Sequence, residues 1–171
     1  MDYVLLATEI ILILIPLYIA NSTAMLLGGK TPIDFNSKFL DKKPLFGEGK
    51  TIKGTFFGIL TGIIAVIIVN YFFQGNAPII PNYLYYGALL SVGAILGDII
   101  GSFIKRRAGV ERGKPVFLLD QLDFVFVGLL LGSIAYNISI QLVFLISVIT
   151  LFAHKTANFI AFKFKLKKVP W

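Results

Sequence analysis

Between Gly97 and Asp123 the chain reads GDIIGSFIKRRAGVERGKPVFLLDQLD. The stretch starts inside one apolar run and ends as another begins. Asp98 lies within the first run, Lys105, Arg106 and Arg107 close it, and Asp120 and Asp123 open the next. On a helix, Asp98 sits seven residues, or about 10 Å, deeper along the axis than Lys105. An ionised carboxylate at such a depth in hydrocarbon costs several kcal/mol, so it must be paired, metal-bound or in a wet cavity. Asp98, Ser102 and Lys105 would share one helical face by their i, i+4, i+7 spacing, which allows an ion pair with Lys105 or Arg106 as the lesser alternative to a metal-binding role.

The rest of the chain supports a membrane setting. It has 171 residues, 57% of them hydrophobic, with a mean hydropathy of +0.84. That is more apolar than an average soluble domain. Several runs reach the roughly 20 residues a helix needs to cross hydrocarbon. The expectation is an all-α integral membrane protein whose residues 1–171 form a single domain. No cysteine is present, which removes disulfides and thiolate chemistry. Asp2 precedes the first apolar run and no basic residue does, so that run reads as a retained helix and not as a cleaved signal.

Helices are expected at about 3–27, 54–74, 82–104, 123–137 and 139–162, with a kink at Pro16. The first connection, 28–53, is long and basic. Gln74–Pro81 reads as a short turn, and Tyr136, Asn137 and Ser139 as a tighter one. Helix four is short for a full span. All 16 Lys and Arg residues fall in segments 28–53 and 105–122 or in the C-terminal part from Lys155 onward. Positive residues remain cytoplasmic. This predicts an outside N-terminus, an inside C-terminus and five spans, with both long loops at the cytoplasmic face of the cell membrane. The tail lysines Lys163, Lys165, Lys167 and Lys168 read as attraction to anionic headgroups. No nucleic-acid partner is expected.

Asp120 and Asp123, three residues apart, would point the same way on a helical turn. One could cap that helix, but neighbouring carboxylates repel unless a cation lies between them. Together with Asp98 they make an oxygen-rich set suited to a hard cation such as Mg2+. His154 is the single histidine and has no partner for a zinc site; it reads as a packing or hydrogen-bonded residue. In the first loop, GEGKTIKGT (Gly47–Thr55) offers flexible backbone and two lysines, Lys50 and Lys53, but lacks the P-loop spacing. Carboxylates for metal beside cations for phosphate describe a phosphoryl- or nucleotidyl-transfer site. The glycines Gly58, Gly62, Gly87, Gly93, Gly97, Gly101, Gly128 and Gly132 read as sites of close helix packing.

GDIIGSFIKRR followed by LLDQLD resembles the signature of the CTP-dependent phosphatidate cytidylyltransferases. The resemblance is closer to their archaeal branch, the CDP-archaeol synthases. YIAN (Tyr18–Asn21), GGKTPIDF (Gly28–Phe35), FGEGKTIKGT (Phe46–Thr55) and DQLDF (Asp120–Phe124) are similar to its blocks, over about residues 15 to 135. VFLL stands where the larger enzymes carry His-Gly-Gly, which sets the chain apart from the bacterial type. The resemblance implies transfer of CMP from CTP to an isoprenoid ether lipid phosphate, 2,3-bis-geranylgeranyl-glycerol 1-phosphate, giving CDP-archaeol and pyrophosphate. It further implies one or two Mg2+ ions held by Asp98, Asp120 and Asp123, with Lys105 and Arg106 completing the catalytic set. Lys50, Thr51, Lys53 and Asn21 would bind CTP, with Asn21 alternatively orienting Asp34. Lys105 and Arg106, with Arg107 and Lys114 behind them, would bind the lipid phosphate. Two alternatives remain open at this point. One is a CDP-alcohol phosphotransferase, whose Asp-Gly-x-x-Ala-Arg block is missing here; the other is a small cation or phosphate transporter.

Overall fold

The computed structural model describes residues 3–73 and 79–164. The tail lysines Lys165, Lys167 and Lys168 and most of the Gln74–Pro81 turn lie outside the described residues. The architecture is α1 (Tyr3–Leu26), α2 (Ile52–Phe72), α3 (Tyr83–Arg107), α4 (Leu119–Gly132) and α5 (Ile140–Lys163).

Four of these, α1, α2, α3 and α5, are long and apolar enough to cross a membrane. The fourth helix has 14 residues, or about 21 Å of rise, less than the roughly 30 Å of a hydrocarbon core. The fourth helix is therefore short of a full span, as its sequence suggests, reaching about two-thirds of the hydrocarbon thickness. It begins four residues earlier than expected, because Leu118 takes a positive φ of 67° and turns the chain. It stops after Gly132, where a turn forms on its last carbonyls, Tyr136 N–H donating to Gly132 O at 3.0 Å. The second helix starts at Ile52 because Thr51 caps it: its Oγ1 accepts from Gly54 N–H at 3.1 Å and from Gly29 N–H at 3.0 Å.

Leu12, Ile13, Leu17, Val66, Tyr86, Leu90, Phe124 and Ile146 form the buried centre. The outward faces carry exposed Ile, Leu and Phe, including Phe56, Ile64, Ile67, Leu130 and Phe144. That inversion suits hydrocarbon solvent, where apolar surface needs no hiding and backbone polar groups are satisfied within helices. Glycine lets the helices meet at the backbone. At each of the eight helical glycines named above an added Cβ would fall between 2.0 and 2.8 Å from a neighbouring atom. Between α3 and α4 the approach is closest: Gly93 faces the Gly128 backbone, and Gly97 faces the Asp123 carbonyl. The two halves of the opening sequence are thereby held side by side.

Candidate functional site

The segment from 27 to 51 is folded, not slack. Ile33 N–H donates to Lys50 O at 2.8 Å and Ile52 N–H to Thr31 O at 3.1 Å, pairing the start of the loop with its end. A second bridge, Lys38 with Pro44, closes its tip. At the centre is Asp34, buried with 6% exposure. Its Oδ2 accepts from Phe46 N–H at 2.9 Å and Gly47 N–H at 3.1 Å, and its Oδ1 from Asn36 N–H at 3.0 Å. Burial pushes this carboxyl up, but the three backbone donors outweigh it and hold the acid below its ordinary range. Asn21, which the sequence offered as a partner for Asp34, is not among these donors. It is half buried on α1.

The loop is fastened to the end of α3. Arg107 Nη1 meets Asp41 Oδ1 at 2.6 Å, its Nη2 donates to Pro44 O, and its guanidinium lies between Phe39 and Phe103 at 4.8 and 4.9 Å from the ring centroids. Lys43 Nζ donates to Arg107 O at 3.1 Å. Arg112 pairs with Glu48. Arg107 thus serves as a clamp, with both terminal nitrogens committed to the loop and its buried Nε without a partner. Lys114 pairs with Glu111 at 2.9 Å on an exposed surface. Of the four basic residues expected at a lipid phosphate, these two are engaged elsewhere. Arg106 donates to Val110 O at 2.7 Å, leaves its buried Nε without a partner and lies beside Gly47.

Clamping brings Lys50 to the first of the three acids. Lys50 Nζ and Asp98 Oδ2 are 2.6 Å apart, and Lys105 Nζ and Asp120 Oδ1 are also 2.6 Å apart. The pair that one helical face allowed, Asp98 with Lys105 or Arg106, is not formed; two pairs cross between elements instead. Asp120 also accepts from Val116 N–H at 3.0 Å, fixing the approach to α4. Asp123 rests on the bare face of Gly101, where an added Cβ would stand 2.0 Å from its Oδ2. Its Oδ1 accepts from Phe124 N–H at 2.7 Å, and among the described residues it has no ion-pair partner. Asp98, Lys50 and Asp120 all lie close enough to act on it electrostatically. With all groups ionised, three carboxylates face two ammonium groups, and one negative charge is uncompensated.

Those donors fit a hard cation in kind: carboxylate oxygens, no sulfur, and one half-buried acid lacking a counter-charge. As placed, no three acidic or histidine groups among the described residues stand close enough together to hold an ion. The lysine ammoniums occupy two of the three acids, so an ion at Asp123 would have to draw Asp98 or Asp120 from its lysine. Lys53, expected to act beside Lys50, diverges from it: its Nζ lies over the Phe57 ring at 5.9 Å. His154 packs its ring 5.8 Å from Phe124 and 6.2 Å from Tyr18, in keeping with a packing residue. Sequence reasoning left Asp34 undecided and missed the Arg107 clamp. The pairing of Asp41 with Arg107 spans 66 positions, and no local spacing carries it. The seat for Asp123 did have a signal, in Gly97 and Gly101 four residues apart.

A family model described as CarS-like CDP-archaeol synthase matches residues 2–171. Among curated relatives, the CDP-archaeol synthase of Methanocaldococcus jannaschii is 42% identical over 167 residues, covering 92% of this chain and 93% of the relative. That of Methanococcus aeolicus is 38% identical with both chains covered in full. Among solved structures, one described as an intramembrane enzyme for archaeal membrane lipids biosynthesis superposes with a TM-score of 0.79. It is 34% identical, with 86% of this chain and 91% of that one covered.

Proposed function

The chain belongs to the CDP-archaeol synthase family and so forms CDP-archaeol in archaeal lipid synthesis; we propose that it does this at the acid–lysine cluster between α3, α4 and the first loop. The observation that carries the proposal is the pair of ion pairs, Lys50–Asp98 and Lys105–Asp120, flanking the uncompensated Asp123. The family decides against the phosphotransferase and transporter readings.

In the proposed reaction the phosphate monoester of an isoprenoid ether lipid attacks the α-phosphorus of CTP. A P–O bond forms to the lipid phosphate oxygen, the α–β bridging P–O bond breaks, and its electron pair leaves on pyrophosphate. A phosphate dianion is already a nucleophile, so no general base is required. The obstacle is repulsion between two anions. Lys50 faces the triphosphate, and Lys105 and Arg106 face the lipid phosphate or the departing pyrophosphate; Thr51, expected at CTP, is instead the buried cap of α2 beside Lys50. Asp98, Asp120 and Asp123 would hold Mg2+, one ion or two, which when bound neutralises triphosphate charge. Each lysine then has two places to go, a carboxylate before substrate binds and a phosphate afterwards. The Gly101 seat orients Asp123, and the Asp34-centred loop presents Lys50. Both long loops lie at one end of the helices and carry most of the cations, which supports a cytoplasmic site by the positive-inside rule.

The test is turnover of purified protein in detergent with radiolabelled CTP and Mg2+. Label is expected to enter the organic phase when archaetidic acid is supplied. Absence of transfer in folded protein with intact lipid and nucleotide would overturn the site and reaction together. Retained turnover in Asp123→Asn or Asp120→Asn would overturn the assignment of the acids alone.

A further inference from the structure

A cavity of about 400 Å3 opens at the start of α2, lined by Gly29, Lys30, Thr31, Ile52, Lys53, Phe56 and Phe57. It does not include Asp98, Asp120 or Asp123. Its floor is apolar and its rim cationic. Among the described residues neither Lys30 nor Lys53 meets a carboxylate. The Lys53 stem lies flat beneath Gly29, where an added Cβ would stand 2.9 Å from Lys53 Cβ, so the bare Gly29 backbone leaves the stem its place. Phe56 is 60% exposed and Ile52 46%. From them an exposed apolar line continues down α2 through Leu60, Ile64 and Ile67 or Ile68 at helical spacing. A polar-headed, long-chained molecule matches such a surface end to end.

We propose that this cavity captures the phosphate monoester head of the acceptor lipid, with a chain lying along the α2 line, before the head moves to the acid–lysine cluster. Two facts select a lipid phosphate over a nucleotide. Both lysines line the cavity beside aromatic and aliphatic side chains, Lys53 Nζ lying over the Phe57 ring, and the cavity continues into the exposed apolar line of α2. Two unpaired lysines also match the two negative charges of a monoester better than the single charge of a diester. Lysine suits this edge, because its stem lies on apolar surface while its ammonium reaches the interface. The identity of the captured lipid rests on the cytidylyltransferase reading; the capture itself needs no CTP and is tested without it.

The probe is a dialkylglycerol phosphate with brominated chains, present in trace amounts in phosphatidylcholine vesicles holding Phe56→Trp protein in a Trp171→Phe background. Quenching of the new tryptophan is expected to exceed that by brominated phosphatidylcholine. In Lys30→Gln/Lys53→Gln the preference should fall by about 30-fold, the loss expected for two interfacial cations. In the turnover assay the same double substitution should raise KM for the lipid while leaving KM for CTP within about twofold, a factor under 0.5 kcal/mol. Equal quenching by phosphate-bearing and neutral lipids would overturn the proposal, as would a preference that survives the double substitution. Equal quenching by a brominated phosphatidylglycerol would assign the patch to anionic lipid in general and overturn it too. So would competition by inorganic phosphate at concentrations that leave the vesicles intact, which would mark a free-anion site. If quenching behaves as expected and no CMP transfer occurs, the reaction assignment fails and the capture site stands.

Discussion

Adding one methyl group at Gly101 tests the seat of Asp123 directly. The Cβ of Gly101→Ala would stand 2.0 Å from Asp123 Oδ2, 2.9 Å from its Cγ and 3.1 Å from its Cβ. Ordinary contact begins at 3.4 Å, so the carboxylate oxygen must retreat by about 1.4 Å. Rotating the carboxyl alone does not relieve the contacts to Cγ and Cβ, so the whole side chain must turn away or α3 and α4 must part. Overpacking of this kind costs about 1–3 kcal/mol. A displacement near 1 Å at a reacting centre costs about 100-fold in rate. Gly93→Ala is the matched control. Its Cβ would meet Gly128 Cα at 2.6 Å, on the same interface but away from the acids. Both variants should lose thermal stability in detergent by similar amounts. Only Gly101→Ala should lose kcat by about two orders of magnitude at a temperature where both remain folded. Wild-type kcat in folded Gly101→Ala, or an equal loss in Gly93→Ala, would refute the argument that glycine is there to place the carboxylate.

Asp34→Asn removes the charge that three backbone N–H groups hold, so the loop should loosen and KM for CTP should rise more than kcat falls. The same acid sets a pH dependence. Its folded pKa lies below the ordinary value of about 3.9, so its contribution is complete above that value and is lost as pH falls through the depressed folded pKa. Protection of the Phe46 and Gly47 amides, measured against their intrinsic exchange rates, should therefore hold down to about pH 4 and fall below it, and a loss beginning near neutrality would contradict this. Arg107→Lys keeps the charge but loses the fork and the stacking between Phe39 and Phe103. Protease nicking of the 27–51 loop should rise, and nicking no faster than wild type would argue against the clamp. Chelation with EDTA should abolish turnover, and added Mg2+ should restore it; activity indifferent to both would remove the metal from the proposed site.

Much of this protein is legible in the order of its residues. Long apolar runs must become helices in lipid, because no other segment satisfies its own backbone there. The five helices accordingly fall near their expected places, and the glycines lie where helices touch. Thr51 and the end of α3 shifted the boundaries by a few residues, since caps depend on which neighbour supplies a donor. The fourth helix ended early because Gly132 is followed by a turn that apolar content does not reveal.

The order of residues thus set the solvent, the helices and the residue types at the site. It supplied carboxylates and lysines at the ends of apolar runs, and charge in hydrocarbon allows few reasons for that. Partnership was decided only by the tertiary structure. Spacing along one helix allowed Asp98 with Lys105 or Arg106, yet the folded loop delivers Lys50 to Asp98 and leaves Lys105 for Asp120. Arg106 and Arg107 are neighbours in sequence, and only one is a clamp. Lys50 and Lys53 are three residues apart, and they point to different chemistry on either side of the Thr51 cap. Ion pairing reaches only a few ångströms, so it follows the packing of distant segments and not their order along the chain.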